Sequence, residues 1–235
     1  LSAKSLSELK RFRFHERTRR IARAAFAPRL IIMAKSPRAG RVKRRLARSI
    51  GDTAATSFAR TCLAHILLRL GGDTRWRTLL AIAPDTDLTA ALWSRAARPG
   101  RIGRLPQGSG DLGTRMQRLF QALPPGPAII VGSDIPAIGP REIANAFRLL
   151  GNADAVFGPA ADGGYWLVGL RRSPQLLAPF ARVRWSSPHA LANTLANLEG
   201  RRVAFAAMLS DVDSEHAYRQ LRGQWQRLIP SRSGR

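Results

Sequence analysis

Short, unbroken apolar runs alternate along this chain with longer segments whose apolar residues recur every three or four positions. The runs read as strands at Leu30–Ala34, Thr78–Ala83, Arg101–Leu105, Ala128–Gly132, Ala153–Phe157, Tyr165–Leu170 and Val203–Met208. A run such as AIIV lacks polar alternation, so both of its faces must be buried, as in a parallel sheet. Helical spacing is clearest in Thr53–Leu70, with Asp52 as N-cap after Gly51. Further helices are predicted at Leu88–Ala97, Thr114–Ala122, Pro140–Leu150, Pro188–Leu198 and Glu215–Leu228. Strands separated by helices of this length predict βαβ units in an α/β fold, a three-layer α/β/α sandwich around a mostly parallel, mixed sheet.

The 235 residues, 45% of them apolar, support one domain with its own core. Its expected span is 29–235. Residues 1–28 read as a basic extension outside the fold, and 219–235 as a basic tail. Lys and Arg outnumber Asp and Glu by 39 to 15, a net charge of +24 that draws nucleotides, nucleic acid and anionic lipid alike. Of the 39 cations 35 are Arg, a chain-wide skew, and only Lys35 and Lys43 lie beyond the first ten residues. The lone Cys62 excludes a disulfide framework and reads as a buried thiol. The four His show no ligand spacing, and no apolar run approaches the ~20 residues of a membrane span. Without a secretory apolar segment near the start, a reducing, cytoplasmic location is expected.

In parallel α/β sheets ligands lie beyond the carboxyl ends of the strands, and unusual residues gather there. AKSPRAGRVKRRL (34–46) follows the first strand. Pro37 and Gly40 turn it, and Lys35, Lys43 and Arg45 could hold phosphates; the competing reading is a solvated basic helix start. Arg41 and Arg44 are assigned to surface charge. VGSDIP (131–136) follows the fourth strand. There Asp134 either binds a divalent ion together with substrate phosphates or, like Ser133, stabilises a turn. In LSDVDSEHAY (209–218), Asp213 is a candidate metal ligand and Ser214 a helix cap. In GSGDLGTRM (108–116), Gly110 would let backbone approach a flat ligand, with Asp111 as hydroxyl acceptor or cap. In GPAADGGYWLVG (158–169), Asp162, Gly163 and Gly164 form a turn that a type I′ hairpin would explain. Tyr165 and the Trp185 of WSSP could line a pocket or anchor to the core.

Taken in order, K-x-P-x-x-G-x-x-K-x-R-L, G-D-L-G-x-R-M, G-S-D-x-P, G-P-x-x-D-G-G-Y-W-L-x-G-L, W-S-x-P and D-V-D resemble the bacterial GT-A-like transferases, also labelled radical-SAM/selenodomain-associated transferases or glycosyltransferases. The likeness runs from about Leu30 to about Tyr218. The first loop is also similar to that of phospholactate guanylyltransferases. The resemblance implies a fold of the nucleotide-diphospho-sugar transferase type and Mg²⁺ or Mn²⁺ on Asp134 and Asp213. It implies a phosphate loop of Lys35, Pro37, Gly40, Lys43 and Arg45, with Gly110, Asp111 and Ser133 beside the nucleotide. Lys35, Lys43 and Asp134 would carry the chemistry, and Asp162, Gly163, Gly164, Tyr165 and Trp185 would meet the acceptor. The partner is then a nucleotide-activated small-molecule donor, for glycosyl transfer or alternatively for nucleotidyl transfer from a triphosphate. A nucleic-acid binder would interleave aromatics with Arg on one face, whereas the aromatics here gather in GGYW and isolated loops. A catalytically silent partner protein of the same fold is the remaining alternative.

Overall fold

Seven strands form one sheet in the order β3-β2-β1-β4-β6-β5-β7. They are β1 (Arg29–Lys35), β2 (Arg77–Ala83), β3 (Gly103–Pro106), β4 (Gly126–Gly132), β5 (Ala155–Pro159), β6 (Tyr165–Arg172) and β7 (Val203–Phe205). The computed structural model describes residues 26–96, 102–172, 175–209 and 218–219. β6 runs antiparallel to β4 and β5, and every other neighbouring pair is parallel, so the sheet is mixed as expected.

Alternation along the strands sorts the core into two layers. Leu30, Ile32, Leu80, Ile129 and Val131 face one side, against Leu63, Ile66 and Leu70 of α2 (Asp52–Leu70) and Ile143, Ala146 and Leu150 of α5 (Pro140–Leu150). Ile31, Ala81, Ile130, Phe157 and Val168 face the other, against Met116, Leu119 and Phe120 of α4 (Leu112–Ala122). Leu191 and Leu195 of α6 (Ala190–Ala196) join the second layer at its margin. Each such side chain, fully buried, contributes roughly 1.5–3 kcal/mol, so the two apolar faces account for most of the driving force. No described helix is long and apolar enough to cross a membrane.

Local differences from the expected elements have local causes. Gly51, at φ +82°, is itself the N-cap of α2, which moves Asp52 into the first turn, where its charge favours the helix dipole. That same glycine separates α2 from α1 (Arg44–Ile50), a short helix absent from the expected elements because only Leu46 of it is buried. The helix expected at Leu88–Ala97 is a 3₁₀ turn at Asp85–Asp87 followed by α3 (Ala91–Ala96), tied together by the Trp93 indole donating to the Asp87 carbonyl at 2.8 Å. β7 ends at Phe205 rather than Met208. Of the helix expected at Glu215–Leu228, only Tyr218 and Arg219 are among the described residues, and both are helical.

The chain leaves β1 toward β2 on one side and returns to β4 on the other, so β1 and β4 flank a topological switch point. At such a point the loops after the two strands diverge and open a crevice at the carboxyl edge.

Candidate functional site

The loop after β1 is held at both ends. The Ser36 amide donates to the Ala83 carbonyl at 2.8 Å, extending the β1–β2 ladder by one bond. Arg41 N–H donates to Arg38 O at 3.0 Å, closing a turn in which Gly40 sits at φ +70°. The Arg38 guanidinium pairs with buried Asp87, fastening the loop to the turn after β2. Lys43 then takes a left-handed backbone, φ 48° and ψ 44°, as the N-cap of α1. An L-residue there costs roughly 1–2 kcal/mol. The Lys43 side chain is only 4% exposed, and its Nζ lies 3.2 Å from Asp134 Oδ2.

Asp134 follows β4, beyond Gly132, where a Cβ would meet nothing within 4 Å. Its other oxygen is 3.4 Å from Ser133 Oγ, and the side chain is 49% exposed, so the carboxylate is half open to the cleft. Buried Ile135 and Ile138 hold the segment down, and Ile138 N–H donates to Ile135 O. Cys62 of α2 lies close by. Burial first, and then the Asp134 charge, push its thiol up to about 12, with Lys43 opposing, so it stays a neutral core thiol.

Across the crevice, Asp111 caps α4, its Oδ1 accepting from Thr114 N–H at 2.7 Å; that backbone bond chiefly holds its carboxyl below the usual range. At Gly110, φ +105°, an added Cβ would come 2.9 Å from Thr114 Cγ2. Gly113 packs so closely on Trp185 that a Cβ would come 2.7 Å from the indole Cζ2. Trp185 also meets Tyr165 edge-on, with ring centroids 6.3 Å apart, and burial raises the Tyr165 phenol well above its ordinary pKa. The glycine turn is not type I′, because Asp162 does not adopt the positive φ that type requires. Gly163 alone is left-handed (φ +81°) and its N–H donates to Ala160 O, making a turn closed by a left-handed glycine. Leu191 N–H donates to Gly163 O at 3.0 Å, docking the start of α6 on this turn.

These walls enclose a cleft of about 830 Å³. It gathers Lys35, Lys43, Arg45, Ser133, Asp134, Asp162 and Tyr165 from the residues expected at the site. Pro37, Gly40, Gly110, Asp111, Gly163, Gly164 and Trp185 shape the walls without lining the cleft. Asp213 lies outside the described residues. Arg41 and Arg44 are exposed, but they line the cleft rather than a remote surface, because the turn at Gly40 folds the loop back over the strand ends.

Two polar lining residues were not among the expected contacts, although one of them, Arg115, stands in the G-D-L-G-x-R-M stretch. Gln107, 3% exposed, directly follows β3, and its amide nitrogen donates to Ala34 O at 3.0 Å and Ala81 O at 2.8 Å. Arg115, on the first turn of α4, donates to Gln107 Oε1 at 3.2 Å. Applying the strand-end rule to Pro106–Gly108 as strictly as to Ser133–Pro136 would have found Gln107.

A family model described as an uncharacterized protein conserved in bacteria (DUF2064) matches residues 66–187. Among solved structures, a provisional nucleotide-diphospho-sugar transferase from Desulfovibrio desulfuricans G20 is 24% identical at a TM-score of 0.76, covering 88% of this chain and 90% of that one. A 4-diphosphocytidyl-2C-methyl-D-erythritol synthase from Anaerococcus prevotii DSM 20548 is 12% identical at 0.58, covering 86% and 97%. A CMP:2-keto-3-deoxy-manno-octonic acid synthetase complexed with CTP is 12% identical at 0.56, covering 86% and 99%. At these identities the likeness is one of fold, and the fold is that of the nucleotide-diphospho-sugar transferases. No curated protein matches the chain.

Proposed function

The chain belongs to the DUF2064 family, and from that footing we propose that it is a metal-dependent transferase acting on a nucleotide-activated donor, with glycosyl transfer from a nucleotide sugar as its reaction. The observation that carries this reading is the Lys43–Asp134 pair, set at the switch point between β1 and β4 and roofed by a cationic loop. A carboxylate that is half open and a buried ammonium within 3.2 Å of each other form a site for a phosphate and its counter-ion. Nucleotide names among the fold's relatives agree with it.

The donor set fits a divalent ion. Asp134 stands at the strand end beside Lys43, and one or two carboxylates with substrate phosphates completing the shell is the usual arrangement for Mg²⁺. Asp134 would hold Mg²⁺ or Mn²⁺, with Asp213 as the second carboxylate implied by the resemblance. Such an ion, when bound, neutralises phosphate charge as a Lewis acid. Lys35, Lys43 and Arg45 bind the donor phosphates and stabilise charge developing on the leaving group, each charge-assisted bond worth roughly 1.5–3 kcal/mol. Lys43 serves as a point charge fixed by its buried stem. Arg45 serves as a planar fork at the mouth. Asp162 and Tyr165, on the hairpin side, orient the acceptor, whose own hydroxyl or phosphate attacks. No side chain need form a covalent bond to the donor.

Nucleotidyl transfer is the second reading. Five cations of the loop (Lys35, Arg41, Lys43, Arg44 and Arg45) line the cleft, more than a diphosphate needs and well suited to a triphosphate. Titration calorimetry with UDP-glucose, GDP-mannose, CTP and GTP, with and without Mg²⁺ or Mn²⁺, tests both readings. Metal-dependent binding that falls at least about tenfold in Asp134→Asn is expected. Tight binding of triphosphates without any nucleotide sugar selects nucleotidyl transfer. Absence of metal-dependent nucleotide binding rejects both.

A further inference from the structure

Arg115 differs in its surroundings from the paired arginines of the fold. Arg38, Arg75 and Arg202 each face a carboxylate (Asp87, Asp73 and Asp154) within ion-pair distance. Arg115 is held only by neutral oxygens. Its Nε donates to the Asp111 backbone carbonyl at 3.3 Å and its NH1 to Gln107 Oε1 at 3.2 Å. The Asp111 carboxylate attracts it through space without forming an ion pair and accepts at Oδ1 from Thr114 N–H.

The aim of this guanidinium is set from below. Gln107 is almost fully buried, and both protons of its amide are committed, to Ala34 O and Ala81 O. The amide therefore cannot flip, and its oxygen can only accept. Its backbone is fixed too: Gln107 N–H donates to Ile82 O, and Arg118 donates to Gln107 O at 2.7 Å. Arg115 is thus anchored through two of its three nitrogens. Its NH2 makes no hydrogen bond among the described residues, and the side chain lines the cleft. A positive charge that is pre-organised and outside any ion pair among the described residues, facing a cleft, binds oxyanions well because little side-chain entropy remains to be lost.

The loop cations come from residues 35–45, from the last residue of β1 onward, whereas Arg115 comes from α4, which packs against the second layer of the core. The cleft is therefore lined by cations from two separate elements, with Gln107 bonded to Arg115 through its oxygen and to the Ala34 carbonyl, next to Lys35, through its nitrogen. We infer that Arg115 is a second anion-binding residue, aimed by Gln107 at a carboxylate or phosphate carried by the acceptor. Assigning that anion to the acceptor rests on the loop cations holding the donor phosphates, as proposed above. The implied acceptor class is an acidic small molecule rather than a neutral sugar or alcohol.

Calorimetric titration of inorganic phosphate into the full chain tests this, alone and with saturating UDP-glucose or CTP plus Mg²⁺. Phosphate is expected to bind the nucleotide-loaded protein, and Arg115→Ala to weaken that binding at least about tenfold. Arg115→Lys should recover part of it, and nucleotide affinity should change less than about twofold in either variant. Thermal midpoints of the unliganded variants separate this from misfolding, and Arg115→Lys keeps the comparison open if Arg115→Ala is unstable. Equal phosphate affinity in wild type and both variants overturns the inference. So does a loss of nucleotide affinity in Arg115→Ala as large as in Arg45→Ala, which would make Arg115 part of the donor site. If no nucleotide binds but phosphate binding still depends on Arg115, the anion site stands and the nucleotide-donor reading falls.

Discussion

Three glycine substitutions separate backbone strain from close packing at the hairpin that bounds the cleft. Gly51 sits at φ +82° with nothing within 4 Å of where an added Cβ would lie, so Gly51→Ala isolates the conformational cost. Gly164 has no positive φ, and its Cβ would meet only Asp162, first Oδ1 at 3.1 Å, the end of a side chain that can give way. Gly163 combines φ +81° with the Pro188 carbonyl carbon only 2.6 Å from an added Cβ, and neither backbone can yield alone. A left-handed alanine costs roughly 1–2 kcal/mol, offset in part by a less flexible unfolded chain. Overpacking against backbone adds roughly 1–3 kcal/mol. The expected order is Gly164→Ala within about 1 kcal/mol of wild type, Gly51→Ala near 1, and Gly163→Ala about 2–4. At roughly 2–4 °C per kcal/mol for a chain of this size, Gly163→Ala should lower the melting midpoint by about 5–12 °C. Urea titrations followed by tryptophan fluorescence give the differences directly. If Gly163→Ala costs no more than Gly51→Ala, the 185–190 segment is not seated on the turn, and the wall of the cleft is misassigned.

Gln107→Ala removes two buried donors from the Ala34 and Ala81 carbonyls and should destabilise by about 2–3 kcal/mol in the same urea assay. His65 is held below its ordinary pKa by burial and then by Arg69, whose NH1 lies 3.5 Å from Nε2, so the unfolded chain binds its proton more readily. Its contribution is whole above about pH 6.5 and is lost as pH falls toward the folded value; His65→Gln should flatten the stability profile between about pH 5 and 7, and an unchanged slope would contradict this. Cys62, with its thiol pushed up to about 12, should react with a disulfide reagent at pH 8 at least about 100-fold more slowly in the native protein than in urea. Rapid native labelling would mean that the layer beneath Asp134 opens readily.

The layers were legible in the sequence because burial on both faces writes itself as uninterrupted apolar runs, and β1 and β4 carry the plainest of them. Helix α1 was not, because a two-turn helix with one buried residue leaves no periodic trace among five nearby cations. Lys35, Lys43, Arg45 and Asp134 could be named because turn-forming residues mark the strand ends where they sit. What the sequence left out was direction. Arg41 and Arg44 differ from Arg45 in no chemical respect, and only the turn at Gly40 brings all three to the same cleft. Gln107 was not legible for a related reason, since the carbonyls it meets belong to strands far away in sequence, and Arg115, though part of the G-D-L-G-x-R-M stretch, gains its aim only through Gln107. Gly163 is legible as a turn residue, and Pro188 as the end of one loop and the start of a helix, but nothing in the sequence brings the two together.

Strand β1 lies between β2 and β4 in the sheet, and it precedes both in the chain. The β1–β2 pairing joins segments closer in sequence than the β1–β4 pairing, in which Arg29 meets Ala128, so the second edge of β1 is expected to close later. Such a distant pairing is slow, and an apolar edge exposed in the meantime invites aggregation. Lys35 and Asp134 hang from the ends of those same two strands, so the step that seals the sheet is also the step that brings them together. Ligand added during refolding should therefore act late, trapping molecules in which the β1–β4 seam has already closed.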